Sequence, residues 1–308
     1  EIFRQKDFIN GNGSIEDKEN LLRKNYIDEL INFADQVSDN FEDKKIVVDT
    51  LGGAGKEFLP EVLRGLGVEV IDLSEEKKKH PYRDPPNPKP ELLEELESRV
   101  EKEGADMGIA LDMDADRVKI YENDFVSGDD LFGVFSQLFD SDIVASVDTS
   151  KKVEEINNSN GDEVYFTRVG DPFVLDKAVD QNVDLAGEPN GHYAFTEFVP
   201  YSSGILSGAI AAGLDLDKYI QNIADYQTLR SSIQVKNKME KMDSLKETVR
   251  ENFEVISEID GIKFNSDDVT VLVRSSGSSS KIRIIAESKN QKDAENILTD
   301  VEKLIQNA

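Results

Sequence analysis

Three short polar segments of the chain combine residue types that bind metal ions, sugars and phosphates. The first, residues 112–117, reads Asp-Met-Asp-Ala-Asp-Arg and directly follows an apolar run. Alternate residues of an extended strand project on one side about 6.6 Å apart, so the backbone must curl for Asp112, Asp114 and Asp116 to reach one ion. Carboxylate oxygens suit Mg²⁺, and without a cation they would raise one another's pKa. The segment therefore predicts a magnesium site, with Arg117 as an additional cation beside it.

Two other sites share part of this pattern. An EF-hand calcium loop requires glycine at the position of Arg117 and glutamate at that of Asn123, so it is excluded. A phosphatase of the haloacid-dehalogenase type would use Asp112 as its nucleophile and normally carries Thr or Val where Asp116 stands. That interpretation stays open as a distant alternative.

The second segment supplies the donors and acceptors that sugar hydroxyls require. Gly187 and Gly191 bracket Glu188, Asn190 and His192 in a compact sequence. Carboxylate and amide groups hydrogen-bond to hydroxyls, and histidine can act as an acid or base near neutral pH. We therefore expect Glu188, Asn190 and His192 to contact a polyol, with His192 also a candidate proton carrier. A lone histidine after glycine is also typical of a structural hydrogen bond.

The third segment, residues 274–283, has the composition of a phosphate-binding turn. Gly277 and the neighbouring serines, Ser276 and Ser278, suit a turn whose N–H groups point inward. Arg274 and Arg283 stand at its two edges and supply forked donors that match phosphate geometry. A serine-rich stretch can also be a flexible linker, but here it lies between two apolar strands. It therefore predicts a phosphate site.

Composition narrows the class of protein. The 308 residues carry 36 Lys and Arg against 63 Asp and Glu, which gives a formal net charge of −27. This charge opposes nonspecific binding to nucleic acid or anionic lipid, so neither is an expected partner. The chain has no cysteine and two histidines, which excludes disulfides and thiolate sites. No apolar run approaches the roughly 20 residues of a membrane span, and we expect a cytoplasmic protein.

Apolar runs typical of buried strands alternate with helix-period segments along most of the chain. Strands are predicted at 45–49, 68–72, 107–111, 142–147, 163–166 and 183–186. Alternation of strands and helices implies parallel sheets, which bind ligands beyond the carboxyl ends of their strands. Two of the three polar segments, 112–117 and 187–192, follow such ends.

The predicted fold class is α/β, with two successive mixed or parallel-sheet α/β domains followed by a smaller α+β C-terminal domain. We expect the first domain at residues 1–140, with residues 1–40 peripheral, the second at 141–227 and the third at 228–308. Helices predicted at 204–213 and 216–226 are expected to close the second domain.

Together these segments resemble the α-D-phosphohexomutase family, which comprises phosphoglucomutases, phosphomannomutases and phosphoglucosamine mutases. Residues 112–117 match its metal loop, 187–192 its sugar loop and 274–283 its phosphate loop. A fourth segment, Thr167 to Asp171, is similar to the family's Thr-x-Val-Gly-Asp loop, which adds Arg168, Gly170 and Asp171 as substrate-binding candidates. The departures from the family motifs are Met113, Asn190, Ser275, Ser278, Ser279 and Ser280. The resemblance covers nearly the whole chain.

The resemblance implies a two-step phosphoryl transfer through a hexose 1,6-bisphosphate intermediate. In that family a phosphoserine of the first of four domains donates its phosphoryl group to a phosphosugar. No serine precedes a histidine in this chain, and it begins with Glu1, so it resembles the second to fourth domains of a parent protein. We therefore expect it to be inactive alone. The resemblance implies Mg²⁺ on Asp112, Asp114 and Asp116, with Arg117 and His192 as catalytic groups.

The segment from Gly187 to Gly204 resembles phosphoglucosamine mutases more than the other members of the family. Glucosamine, mannose or glucose phosphate is the expected substrate class, with glucosamine phosphate favoured. A noncatalytic phosphosugar-binding protein remains an alternative of a different class.

Overall fold

The computed structural model describes residues 19–77, 81–83, 85–277 and 279–307. The first sheet has the strand order β2-β1-β3-β4-β5, in which β1 pairs in parallel with β2 and β3, and β4 and β5 are antiparallel. Its strands are β1 (Lys45–Asp49), β2 (Glu69–Asp72), β3 (Met107–Leu111), β4 (Val118–Glu122) and β5 (Asp124–Phe125). Its helices are α1 (Glu19–Val37), α2 (Leu59–Gly65) and α3 (Glu94–Glu103).

The second sheet repeats this arrangement, with the order β7-β6-β8-β9 and an antiparallel last strand. Its strands are β6 (Ile143–Ser146), β7 (Val164–Thr167), β8 (Leu185–Gly187) and β9 (Tyr193–Phe195). The helices in this part of the chain are α4 (Gly128–Ser136), α5 (Lys151–Asn160), α6 (Asp171–Gln181), α7 (Gly204–Ala212) and α8 (Leu216–Ile220).

The C-terminal domain is an antiparallel sheet of order β10-β14-β13-β12-β11 covered by two helices. Its elements are β10 (Gln227–Gln234), α9 (Lys238–Asn252), β11 (Glu254–Ser257), β12 (Ile262–Ser266), β13 (Val269–Ser275), β14 (Lys281–Ser288) and α10 (Gln291–Asn307). The predicted fold class is confirmed: two successive mixed-sheet α/β domains precede an α+β domain.

The first two sheets share one hydrophobic core, and the C-terminal domain has its own. Helix α7 is apolar on all sides and packs against α1, α2 and β4. The sequence predicted that this helix would close the second domain, but it lies against the first. Its uniform apolar surface indicates burial without specifying which neighbour buries it.

Residues 19–37 were expected to be peripheral, but part of this segment is buried. They form α1, which buries Ile27, Leu30 and Ala34 in the shared core. Exposed apolar residues elsewhere on the helix, Leu21 and Leu22 among them, blur the apolar stripe, so the sequence pattern is weak. The rest of the segment that we expected at the periphery, residues 1–18, lies outside the described part of the chain.

Helix α4, which follows Ser127, packs against α5, α8 and β8 of the second unit. We therefore propose a first domain boundary near residue 127 instead of 140. No helix in the described part of the chain has the length and apolarity of a membrane span.

Candidate functional site

The metal and sugar segments occupy equivalent positions in the two α/β sheets. Residues 112–117 connect β3 to the antiparallel β4, and residues 188–192 connect β8 to the antiparallel β9. The two loops meet: Arg117 and His192 form a β-bridge, and Val118 N donates to Gly191 O at 3.2 Å. The fold therefore brings the ends of two separate sheets to one place.

The backbone of residues 112–117 curls, as it must for the three carboxylates to reach one metal ion. Ala115 has a positive φ of 63°, which turns the chain between the second and third carboxylates. Oxygens of Asp112, Asp114 and Asp116 all lie within 4.8 Å of one another. Asp112 is buried, Asp114 is exposed and Asp116 is intermediate, so the cluster opens to solvent on one side.

Burial and neighbouring charges perturb this cluster. Burial raises the pKa of Asp112 to about 6, an effect that the Arg117 cation only partly opposes. Burial would also raise the pKa of Asp116, but interactions with His192, Asp112 and Arg117 lower it overall. Arg117 donates to Asp112 through both its backbone N and its Nε, so this arginine neutralises part of the acidic charge.

Two buried polar atoms at the junction of the loops lack a hydrogen-bond partner. They are Asp116 Oδ1 and His192 Nε2, which lie 3.2 Å apart without hydrogen-bond geometry. Asp116 Oδ1 accepts no hydrogen bond from the described residues, although it lies within ion-pair distance of His192 Nε2 and 3.6 Å from Arg117 Nε. Buried polar atoms are normally hydrogen-bonded, so this oxygen, beside two other carboxylates, can serve as a cation ligand. The residues present therefore fit Mg²⁺, whose preferred ligands are oxygens.

His192 lies between two carboxylates. Its Nδ1 is 3.2 Å from Glu188 Oε2, and its Nε2 faces Asp116. Burial lowers the pKa of His192, but Asp116 and Glu188 together raise it to about 9. These two carboxylates therefore favour the protonated form of the imidazole in this arrangement.

Glu188 organises the loop around it. This residue is 1% exposed, and its Oε1 accepts a hydrogen bond from Gly170 N at 2.7 Å. Its Oε2 accepts from Asn190 Nδ2 at 3.3 Å, besides facing His192. Both oxygens that we expected to contact a sugar are thus bound within the protein, whereas Asn190 is exposed.

Glycines allow the backbones around the metal loop to approach closely. A Cβ on Gly191, whose φ is +106°, would lie 2.6 Å from Val118 O, and one on Gly53 would lie 2.3 Å from Met113 O. Such distances are impossible for a real side chain. The turn that contains Gly53 therefore packs against the metal loop, and Ala54 N donates to Met113 O at 2.8 Å.

The loop at residues 168–171 reaches the sugar loop through its backbone. Gly170 N contacts Glu188, as described, and Asp171 accepts a hydrogen bond from Ser202. Burial raises the pKa of Asp171, which the hydrogen bond from Ser202 partly opposes. Arg168 is exposed, and its guanidinium carbon lies 4.5 Å from the ring centre of Phe173.

The phosphate segment is a turn between β13 and β14. Arg274 and Arg283 are paired across these two strands. Arg274 is 7% exposed, whereas Arg283 is exposed and has no ion pair within the described residues. A Cβ on Gly277 would meet nothing within 4 Å, so the turn is open there. Ser278 lies outside the described residues.

Lys238 is a residue of this turn that sequence reasoning missed. Its Nζ donates to Ser276 O at 2.6 Å and to Ser279 O at 3.0 Å. Ser276 is 1% exposed, and its hydroxyl accepts from Ser279 Oγ at 2.9 Å. Lys238 lies 36 positions before Arg274 in the sequence. Its position as the first residue of α9 is therefore the one sequence feature that could have indicated a role in the phosphate turn.

Asp260, also missed, joins the C-terminal domain to the loop at 168–171. Its Oδ2 accepts from Arg274 Nε at 3.0 Å and lies 2.9 Å from Arg274 Nη2. The same oxygen accepts from Val169 N at 3.3 Å. Asp260 therefore fixes one edge of the Arg274 guanidinium and leaves Nη1 for another anion. Through these contacts, loops of all three domains form one connected site.

Comparison with known families identifies three consecutive parts of the chain. Domain II of the phosphoglucomutase/phosphomannomutase family, of alpha/beta/alpha type, matches residues 24–127, and domain III of the same type matches residues 127–227. The C-terminal domain of the same family matches residues 232–304.

Two curated relatives are named probable phosphoglucosamine mutases. The chain is 34% identical over 298 residues to a probable phosphoglucosamine mutase of Methanobrevibacter smithii, covering 92% of this chain and 65% of the relative. It is 34% identical over 275 residues to a probable phosphoglucosamine mutase of Methanococcoides burtonii, covering 83% and 62%. The chain thus spans about two thirds of the length of these relatives.

Solved structures share the fold. A phosphoglucomutase/phosphomannomutase family protein of Burkholderia thailandensis has a TM-score of 0.81 at 20% identity, covering 99% of this chain and 68% of its own. An N-acetylphosphoglucosamine mutase of Aspergillus fumigatus, in complex with GlcNAc-6P and magnesium, has a TM-score of 0.64 at 14% identity, covering 92% and 70%. With three family domains matched in order over most of its length, the chain belongs to the phosphoglucomutase/phosphomannomutase family, as its motifs predicted.

Proposed function

We propose that this chain forms the metal, sugar and phosphate loops of a phosphohexomutase that interconverts hexose 6-phosphate and hexose 1-phosphate. The observation that carries the proposal is the connected series of contacts from Asp116 through His192 and Glu188 to the loop at 168–171, and from there through Asp260 to Arg274. Metal, sugar and phosphate candidates from three domains thus converge. Glucosamine phosphate is the hexose that we favour, because the curated relatives are probable phosphoglucosamine mutases.

The acidic loop and Arg117 are assigned to the reacting phosphoryl group. Asp112, Asp114 and Asp116 would hold Mg²⁺, which supplies charge neutralisation to a phosphoryl group in transfer. Arg117 already contacts Asp112, which orients its guanidinium beside the metal loop. A fixed cation of this kind stabilises charge that develops on phosphoryl oxygens.

The sugar loop and the loop at 168–171 are assigned to the sugar ring. The exposed Asn190 offers both a donor and an acceptor, whereas Glu188 holds the loop and the backbone of Gly170 in place. Asp116 and Glu188 raise the pKa of His192 against the effect of burial in the metal-free arrangement, and its imidazole is placed to exchange a proton with a sugar oxygen. Arg168 and Asp171 complete the polar rim.

The C-terminal turn is assigned to the phosphate that does not react. Arg274 and the exposed Arg283 offer guanidinium donors, and Ser276 and Gly277 lie in the turn between them. Ser278 is a candidate phosphate ligand from its place in the sequence alone. Phosphate is recognised well by forked guanidinium groups. The C-terminal domain would then hold a substrate in either orientation while the metal loop acts on the other end.

Calorimetry with glucosamine 6-phosphate tests the binding function. We expect saturable binding by the wild-type chain and its loss in Arg274→Ala, whereas Arg64→Ala, which changes an exposed arginine paired with Glu75 at 3.6 Å, should leave affinity unchanged. Equal affinity in wild type and Arg274→Ala would contradict the assignment of the phosphate turn.

No segment of this chain resembles the family's serine loop, since neither His80 nor His192 follows a serine. We propose that a phosphoserine of a first family domain starts the transfer, with hexose 1,6-bisphosphate as intermediate, and that this chain alone is inactive. A mutase assay with glucosamine 6-phosphate and glucose 1,6-bisphosphate tests this. Turnover by the chain alone would contradict the proposal.

The missing serine motif also supports a second candidate function, a noncatalytic phosphosugar-binding protein. Both candidates predict binding of glucosamine 6-phosphate. An assay in which the first domain of the Methanobrevibacter smithii relative is added to the chain distinguishes the two candidate functions. Restored turnover supports the mutase, whereas binding without turnover, under conditions in which the intact relative turns over, supports the second candidate.

A further inference from the structure

A cleft of about 510 Å³ lies between the second α/β unit and the C-terminal domain. One wall is the edge strand β7 with the helices beside it, and the other is the β11–β12 hairpin. None of the candidate metal, sugar or phosphate residues lines this cleft. Its volume falls within the range of pockets that hold small organic ligands.

Three lysines converge on the cleft without carboxylate partners. They are Lys151, Lys177 and Lys263, and none forms an ion pair with a carboxylate in the described part of the chain. The protein carries 63 acidic side chains against 36 basic ones, so unpaired lysines grouped around one cleft are unexpected. Only one acidic residue, Glu154, is among the lining residues.

Lys263 is the most informative of the three. It is 8% exposed, and its ammonium group donates to Val147 O at 3.2 Å and lies 5.1 Å from the ring centre of Phe166. An ammonium group can donate three hydrogen bonds, and a buried lysine normally has a charged partner. The described carboxylates, Glu154 and Glu287 among them, act on Lys263 only beyond ion-pair distance, so its remaining donors are available to an anion in the cleft.

The lysines do not merely protect open strand edges. Lysines beside an edge strand discourage pairing with other chains, and both β7 and β11 are edge strands. A solvated lysine serves that purpose, and Lys177 or Lys151 could do so. Lys263 lies on β12, which is paired on both sides, and is buried, so edge protection does not explain it.

The remaining lining is apolar. Ile256 and Ile259 are 49% and 50% exposed, and Phe166 contributes an aromatic ring to the opposite wall. Apolar side chains that stay exposed inside a cleft favour a ligand with an apolar surface. The positive charges require that this ligand also be an anion.

We propose that this cleft binds a small aromatic anion, with its phosphate or carboxylate at Lys263 and its ring between Phe166 and Ile256. The size of the cleft suits a molecule as large as a nucleoside monophosphate. The site is independent of the proposed mutase function, because it shares no residue with it.

Calorimetry with 1-naphthyl phosphate and 1-naphthoate tests the proposal, and the two probes distinguish a phosphate from a carboxylate ligand. We expect at least one probe to bind in the presence of saturating glucosamine 6-phosphate. We expect Lys263→Met to weaken that binding at least tenfold, because methionine keeps the packing against Phe166 and removes the charge. Lys177→Met, at the rim and unable to disturb the core, should also weaken it.

Lys303→Met is the matched control, since Lys303 is an exposed residue of α10 paired with Asp300. The affinity of this variant for the probe should equal that of the wild type. Affinity of Lys263→Met within twofold of the wild type would overturn the proposal. Displacement of the probe by glucosamine 6-phosphate, or equal affinity for inorganic phosphate, would also overturn the proposal. Tighter binding of hexaglutamate than of the probe would overturn it too, because it would indicate a peptide site along the strand edges. Absence of binding at millimolar probe would overturn it as well.

Discussion

His192 joins two residues that belong to different loops. Its imidazole stands between Glu188 of its own loop and Asp116 of the metal loop, so its protonation depends on both. The sequence predicted the residue but not this double contact, because a backbone bridge between Arg117 and His192 creates it. Residue types and spacing predict candidate ligands, whereas contacts between loops of separate sheets follow only from the packed fold.

Asp260 and Lys238 are residues that the sequence patterns did not predict, because their role also depends on contacts in the packed fold. Each holds a predicted residue in place through a contact made far along the chain, Asp260 with Arg274 and Lys238 with Ser276. Neither stands in a motif with recognisable spacing. Sequence patterns therefore predicted candidate ligand-binding residues and missed residues that hold those candidates in place.

Substitution of Asp114 tests the metal site at the scale of one residue. Asp114 is exposed, so Asp114→Asn keeps the shape of the loop and removes one charged oxygen. We expect calorimetry to give a Mg²⁺ affinity at least tenfold weaker, because each charged ligand contributes strongly to binding of a hard cation. Asp140→Asn, an exposed change outside the loop, is the control. Unchanged Mg²⁺ affinity in Asp114→Asn would count against the site.

At the scale of elements, the parallel strands of the first two sheets were predictable, whereas their antiparallel strands β4, β5 and β9 were not. Strand β3 is an apolar run buried along its whole length, and β1 is buried at every residue except Lys45, which is typical of parallel sheets. Strand β9 has three residues and β5 has two, too few for a periodic signal. Yet the β3–β4 and β8–β9 hairpins make the metal and sugar loops equivalent, since each loop connects a parallel strand to an antiparallel one.

Substitution of Gly191 tests the junction of these two hairpins. In Gly191→Ala the new Cβ would meet Val118 O, and the φ of +106° suits only glycine, so we expect unfolding free energy to fall by about 3 kcal/mol and Mg²⁺ affinity to fall as well. Gly104→Ala is the control: its φ is +59° and its Cβ would meet nothing within 4 Å, which limits the cost to about 1 kcal/mol. Denaturant unfolding measures both. Equal losses in the two variants would show that the close contact with Val118 contributes nothing.

At the scale of the whole molecule, the three domains are joined in two different ways. The first two share an apolar core, to which α7 contributes by packing against α1 and α2. The C-terminal domain is attached largely through polar contacts, among them Arg230 with Asp129 at 3.2 Å. Domain order followed from the sequence, but the shared core did not, because an apolar helix does not specify its partner.

Glu287 is the centre of the polar attachment. Its carboxylate accepts hydrogen bonds from the hydroxyl of Ser150, from Lys151 N at 2.8 Å and from Thr228 Oγ1 at 3.0 Å. The first two donors belong to the second unit, and Glu287 itself is 4% exposed. Removal of this acceptor leaves buried donors unpaired, which costs about 3 kcal/mol in total.

We expect Glu287→Ala to uncouple the C-terminal domain from the rest of the chain. The C-terminal domain has a core of its own, so it can unfold separately once the attachment is weakened. Scanning calorimetry should then show a new transition at lower temperature, with the transition of the first two domains nearly unchanged. Glu295→Ala, an exposed change on α10, should keep the wild-type profile. A single transition that shifts as a whole in Glu287→Ala would instead mean that the attachment does not depend on this carboxylate and that all three domains unfold as one unit.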